Sequence, residues 1–321
     1  MNEWGIFDNS QNKIAGSTEE EVYHMLDLQW IPPEMRENLG EIALAKKGGM
    51  GLPKLIEYDD LKGDLQVHSD NTDGTMSIED MALAANEKFG LQYIAITDHT
   101  KSLRLTNGLD ESQLLDQANK IAEINDRIKQ GQNNKQLQRV RNKRDQTASA
   151  IASIKRDFRI LSAAEVNIMK DGSLDIANNV LDKLDVVGAA IHSNFSQPIE
   201  VQTDRLIKAA QNPSVDIIFH PTGRLINKRE GYPINIEKLI DAAKDTSTIL
   251  EIDAHYDRLD LKDEYIRMAI QKGVKLVIDS DAHHPVHFAF LKLGIAQARR
   301  GWAQKADILN SMPIDEFLKC L

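Results

Sequence analysis

Cysteine is almost missing from this chain: its one thiol, Cys320, stands beside the C-terminus. That excludes a disulfide framework and a thiolate metal site. Long apolar runs are missing as well, and none reaches the roughly 18 residues that a membrane span needs. The opening Met-Asn-Glu-Trp-Gly-Ile-Phe-Asp has neither the basic start nor the apolar stretch of a signal peptide. A cytoplasmic protein with no membrane partner is therefore expected. Positive charge is in short supply, with 39 Lys and Arg against 49 Asp and Glu and a formal net charge of −10. This argues against a protein that coats nucleic acid indiscriminately, although a local basic patch can still bind it. The 321 residues suffice for a full core, in one large α/β barrel or two unequal domains.

Residues 1–60 read as an N-terminal extension and 61–321 as the main domain. In the extension, Glu19 to Leu26 suggest a short helix with Ser17 as N-cap, and Trp30-Ile-Pro-Pro a turn into a second one. The segment is too polar for a core of its own and is expected to pack on the main domain. From Leu61 onward, apolar strands alternate with helical patterns. The helix over 78–89 is well signalled, with Ser77 as N-cap and Gly90 beyond its end. Seven strands are expected, reaching His68, Asp98-His99, Glu165, His192, His220, Asp253 and Asp279. Apolar strands alternating with helices imply a parallel sheet buried on both faces. Seven such units suggest a closed or nearly closed TIM-like barrel, with an open doubly wound sheet as the rival. Between the second and third strands, residues 127–159 carry ten Lys or Arg against two Asp. This basic insertion is either a solvated helical extension or a nucleic-acid contact.

The chemistry lies in how these strands end. Seven of the nine histidines (68, 99, 192, 220, 255, 283 and 284) fall at or just past strand ends. A single histidine there is commonly structural, but so many unpaired imidazoles on one rim would be costly to bury. The Lys62 to Gly74 stretch adds Asp70 and Asp73 to the same mouth. Imidazole mixed with carboxylate, and no thiolate, suits divalent ions such as Zn²⁺, Mn²⁺ or Fe²⁺. Two or three of them together favour in-line displacement at phosphorus, since they yield hydroxide near neutral pH and offset charge on the departing oxygen.

Several runs carry a resemblance: Gly63-Asp-Leu-Gln-Val-His-Ser, Ile94-Ala-Ile-Thr-Asp-His, Glu165-Val-Asn-Ile, Asp171-Gly-Ser-Leu-Asp, His220-Pro-Thr-Gly-Arg, Arg258-Leu-Asp-Leu, Asp281-Ala-His and Ala298-Arg-Arg-Gly-Trp. Residues from about 60 to 315 resemble the polymerase-and-histidinol-phosphatase (PHP) domain, and more narrowly the C-terminal region of bacterial and archaeal family X DNA polymerases. Residues 1–60, with Asn2-Glu-Trp-Gly-Ile-Phe and Ile31-Pro-Pro-Glu-Met-Arg, are similar to the end of that family's polymerase core and its linker. The palm carboxylates and helix-hairpin-helix segments have no counterpart, so DNA polymerisation is not expected.

The resemblance implies a distorted (β/α)₇ barrel and up to three divalent ions. One would be held by the position of Gln66 with His68, Glu165 and Asp281. A second would be held by Glu165, His192 and His220, and a third by Asp73, His99 and His283. Glu165, Asp281 and His283 would serve catalysis, with Arg224 and Arg258 either clamping a phosphate or fixing their loops. His255 and His284 fall outside the pattern. Gln66 departs from it, because the family has a histidine there, and an amide oxygen is a weaker ligand for these ions. A labile first ion, reliance on the other two, and loss of catalysis are all compatible with that change. The implied activity is phosphoester hydrolysis at DNA ends or gaps, of the 3′–5′ exonuclease, 3′-phosphatase or abasic-site nuclease type. A small-molecule phosphatase of the histidinol-phosphatase kind is one alternative. A scaffold that binds DNA or a separate polymerase partner is another.

Overall fold

The computed structural model describes residues 1–130 and 153–321, so most of the basic stretch 127–159 lies outside the described residues. A two-stranded antiparallel ribbon, β1 (Ile6–Phe7) and β2 (Lys13–Ala15), precedes α1 (Glu19–Met25) and α2 (Glu41–Ala45). The cap of α1 is Thr18, not Ser17. The Thr18 hydroxyl accepts from the Glu21 N–H, whereas the Ser17 N–H donates to the Glu21 carboxylate. Pro33 opens a 3₁₀ turn, Pro33–Met35, where its lack of an N–H costs nothing.

Seven parallel strands come next, in spatial order: β3 (Gly63–Val67), β4 (Tyr93–Ile96), β5 (Arg159–Asn167), β6 (Val186–Ala190), β7 (Ile217–Ile218), β8 (Ile249–Asp253) and β9 (Leu276–Asp279). Helices α3 (Ile78–Glu87), α4 (Glu111–Gln130), α5 (Asn178–Leu181), α6 (Ile199–Ala210), α7 (Ile236–Thr246), α8 (Asp263–Lys272) and α9 (Leu291–Arg300) alternate with them, and α10 (Ile314–Phe317) ends the chain. As its N-cap, Ser77 accepts from the Asp80 N–H. Among the described residues no helix is long and apolar enough to cross a membrane.

The sheet is a nearly closed barrel. Just past the end of β9, Ala282 N donates to Gln66 O and His68 N donates to Ala282 O, which joins the last strand to the first at the rim. Lower down the two backbones part, and Asn310 fills the seam. Its amide nitrogen reaches Gly63 O at 3.0 Å and Ile278 O at 2.7 Å. Inside, small and large residues alternate to fill a narrow bore. Gly63 lies against the Tyr93 ring and Gly188 against the Phe219 ring, where an added methyl carbon would fall 2.0 and 1.8 Å from ring atoms. Phe317 stacks on Tyr93 and closes the bottom. A second apolar layer, including Val67, Ile94, Ile96 and Ile160, joins the strands to the helices.

The N-terminal segment packs on α9 and the turn after it. Ile31, Met35, Ala45 and Leu55 bury against Trp302, and Arg299 and Arg300 pair with Glu34 and Glu37.

Candidate metal centre

The strand ends of the barrel converge on one carboxylate. Glu165 sits on β5, the longest strand, which runs past it to Asn167. Its Oε1 lies 3.1 Å from His192 Nε2 and 2.7 Å from His220 Nε2. Its Oε2 lies 3.0 Å from His99 Nδ1 and 3.5 Å from His68 Nε2. Each oxygen thus faces two imidazoles.

The β3 contribution depends on an irregularity. Between Asp64 and Val67 that strand takes three steps where β4 takes two, from Ile94 to Ile96. Leu65 packs inward with Ala95, whereas Val67 packs into the outer layer. A regular strand would keep Leu65 and Val67 on one face. The bulge turns Val67 out and leaves Gln66 and His68 facing the barrel. His68 Nε2 then reaches Asp281 Oδ1 at 3.2 Å. Asp73 comes from the loop after β3, 3.4 Å from both His99 Nε2 and His283 Nε2. Donor atoms of His68, Asp73, His99 and His283 all lie within 4.8 Å of one another, as do those of His99, Glu165 and His192. His99 is therefore shared between two groups. Asp70 is exposed and outside both. His220 (φ +29°) and Asp281 (φ +50°), which lie outside both groups but contact Glu165 and His68, hold left-handed backbone, a strain that clusters at functional sites.

The electrostatics are those of a compact array of opposite charges. Burial alone would raise Glu165, but His192 and His99 hold its carboxyl well below the usual range. Burial opposes charge on His99, yet Glu165 and Asp73 raise it to about 10. The same opposition acts on His283, which Asp281 and Asp73 raise to about 9. Burial lowers His68, aided by repulsion from His283 and His99, and burial also lowers His192.

Divalent ions fit this donor set. Buried atoms without a hydrogen-bond partner include both ring nitrogens of His68, His99 Nδ1, Asp73 Oδ1 and Glu165 Oε2, a costly arrangement unless something else binds them. Gln66 belongs to the same group: its side chain is fully buried, and neither amide atom has a partner.

The two arginines differ. Arg258 Nε lies 3.2 Å from Asp253 Oδ2 and 3.4 Å from Asp281 Oδ2, at the edge of the cluster. Arg224 donates through Nε to Arg258 O at 2.6 Å and through Nη2 to Leu259 O. It thus holds the Arg258 loop, through carbonyls rather than a carboxylate. His255 pairs with Asp257, and His284 caps a 3₁₀ turn.

Two supporting residues escaped sequence reasoning. Asn167 Oδ1 lies 2.8 Å from His192 Nδ1, where it accepts that ring's proton and leaves the Nε2 lone pair, on the Glu165 side, free for an ion. Asp98 accepts from the Ser69 N–H and the hydroxyls of Ser69 and Thr72, and from Gln117 Nε2, which fixes the loop leading to Asp73. Asn167 had one signal, its place two residues after Glu165 on the same strand face.

Fold and centre together define a nearly closed seven-stranded parallel barrel that carries, at the ends of its strands, a His/Asp/Glu cluster able to hold divalent ions. Over 323 aligned positions the chain is 39% identical to the DNA polymerase/3′-5′ exonuclease PolX of Bacillus subtilis, covering 99% of this chain and 51% of that one. A probable phosphatase of Thermoanaerobacter sp. (strain X514) is 38% identical over 134 residues, 39% of this chain and 52% of that one. Residues 1–37 match the family model for the DNA polymerase beta thumb. Histidinol phosphate phosphatase of Lactococcus lactis, solved with zinc, L-histidinol and phosphate, superposes with a TM-score of 0.46 at 13% identity, over 74% of this chain and 93% of that one. The chain spans about half the length of the curated relatives it matches.

Proposed function

We propose that this chain hydrolyses phosphate esters at DNA ends, as a 3′–5′ exonuclease, 3′-phosphatase or abasic-site nuclease, using up to three Mn²⁺, Zn²⁺ or Fe²⁺ ions. The observation that carries the reading is Glu165, whose two oxygens each face two imidazoles, a donor set that would hold divalent ions. When bound, such ions lower the pKa of water and offset charge on the leaving oxygen. His68, Glu165 and Asp281 are buried, whereas Asp73 and His283 remain 30% and 27% exposed, so substrate enters over that side. Arg258, at the edge of the cluster beside Asp281, would contact the phosphate, with Arg224 holding its loop. DNA as substrate draws support from the PolX relative and the thumb-like residues 1–37.

A second reading, a small-molecule phosphomonoesterase, draws on the probable phosphatases that match 134 residues. The test is hydrolysis of a labelled oligonucleotide and of glycerol phosphate by Mn²⁺-loaded protein, with Glu165→Gln as control. DNA-end hydrolysis lost in Glu165→Gln is expected. Turnover of glycerol phosphate alone would favour the second reading.

A further inference from the structure

Beside the metal cluster lies a group of rings that the proposed chemistry does not use. The loop after β8 supplies His255 and Tyr256, and the 3₁₀ turn Pro285–Phe290 supplies His287 and Phe290. The His255 ring lies 4.8 Å from Tyr256, 5.1 Å from Phe290 and 5.5 Å from His287. Tyr256 stands edge-on to Phe290 at 5.4 Å, and His287 stacks on Phe290 at 5.1 Å. Contacts of this kind fix ring orientation.

The group is tied to the cluster at both ends. On one side His255 N donates to Asp253 Oδ1, and Asp253 Oδ2 meets Arg258, which also meets Asp281. On the other side His283 N donates to His287 Nδ1. Tyr256 is 58% exposed and stands on a base of three partly buried rings, so its face is open to solvent while its orientation is fixed from beneath. A preordered aromatic face open to water beside a phosphate-handling centre suits the flat face of a nucleobase.

We propose that Tyr256, backed by His255, Phe290 and His287, is a stacking platform for the unpaired base at the end of a single strand whose phosphate enters the metal cluster. This rests on the DNA-end reading and narrows its substrate to ends that carry a base.

The test uses a short single-stranded oligonucleotide ending in the fluorescent base 2-aminopurine, and its counterpart ending in an abasic sugar. Binding is followed by fluorescence for the first and by competition for the second. Wild-type protein should quench the terminal base and bind this strand roughly tenfold more tightly than the abasic one. Tyr256→Ala should lose that preference, and Tyr256→Phe, which keeps the ring, should retain it. Thermal melting confirms that both variants are folded. No quenching by wild type, equal binding of the two strands, or an unchanged preference in Tyr256→Ala would overturn the platform. DNA hydrolysis by wild type in such a case would leave the phosphoesterase reading standing. Quenching lost in Tyr256→Ala, without any DNA hydrolysis, would keep the platform and remove that reading.

Discussion

Gln66 is the residue at which family pattern and physical cost meet. Its amide is fully buried with neither end hydrogen-bonded, a state that costs about 1–3 kcal/mol. An ion beside His68 would relieve the oxygen's share of that cost by taking the amide oxygen, though less strongly than it would take imidazole, and would leave the NH2 unpaired. Gln66→His is therefore expected to raise the metal bound per chain and the phosphoesterase rate, the affinity by about 10- to 100-fold. Elemental analysis and rate titration against Mn²⁺ check this, and unchanged values would show that the position tolerates an amide. Asn167 makes a parallel case. Replacing it by Leu frees the His192 ring to choose its other tautomer, and metal affinity should fall about 10- to 100-fold. Calorimetric titration measures that loss, and full affinity would mean that the Asn167 contact does not matter. The imidazoles were legible because histidine is scarce and falls repeatedly at strand ends. Asn167 and Asp98 were not, since a polar residue in a strand shows no sign of what it will bond until neighbouring strands are paired.

At the scale of elements, alternation of apolar runs and caps such as Ser77 and Gly90 revealed the order of strands and helices. What it could not reveal was local departure from regularity. The bulge in β3 leaves no mark in Gly-Asp-Leu-Gln-Val, yet it aims His68 at the cluster. Similarly, of the strand expected to reach His220, only Ile217–Ile218 pair regularly before the backbone turns at His220. Asp216, one residue before β7, gives this element a pH dependence. Burial raises its carboxyl from 3.8 to about 6, against a hydrogen bond from the Val187 N–H that favours charge. A carboxyl raised in the fold binds its proton more tightly folded than unfolded. It therefore adds no penalty below about pH 4, destabilises increasingly as pH rises towards about 6, and keeps that penalty level above it. Asp216→Asn keeps an oxygen for Val187 and removes the charge. Its melting temperature should exceed wild type at pH 8, by a gain on the order of 1–2 kcal/mol after allowing for part exposure. The difference should vanish near pH 4, and a gap of the same size at both pH values would point to packing instead.

At the scale of the molecule, the centre doubles as a tie across the barrel. Its members come from β3 and the loop after it, and from the ends of β4, β5, β6, β7 and β9, so an ion held there joins strands that are distant in sequence. The unfolded chain cannot assemble such a set, and binding to the fold alone stabilises it by about 2.7 kcal/mol when free ion stands at 100 times its dissociation constant. The seam between β3 and β9 makes this tie matter more. Backbone pairing there is confined to the rim around Val67 and Ala282, beside His68 and Asp281, and lower closure depends on Asn310. Metal removal by a chelator should therefore lower the melting temperature by several degrees, and Mn²⁺ returned in excess should restore it. Amide exchange should quicken first in β3 and β9, where the tie spans the weakest pairing, and less in β5 and β6. Glu165→Gln, which removes the shared carboxylate, should melt at the same temperature with and without the ion. A wild-type melting point indifferent to chelation would mean that no ion resides at the rim under those conditions. A uniform change in exchange across all seven strands would mean that the ion stabilises the barrel without bracing its seam.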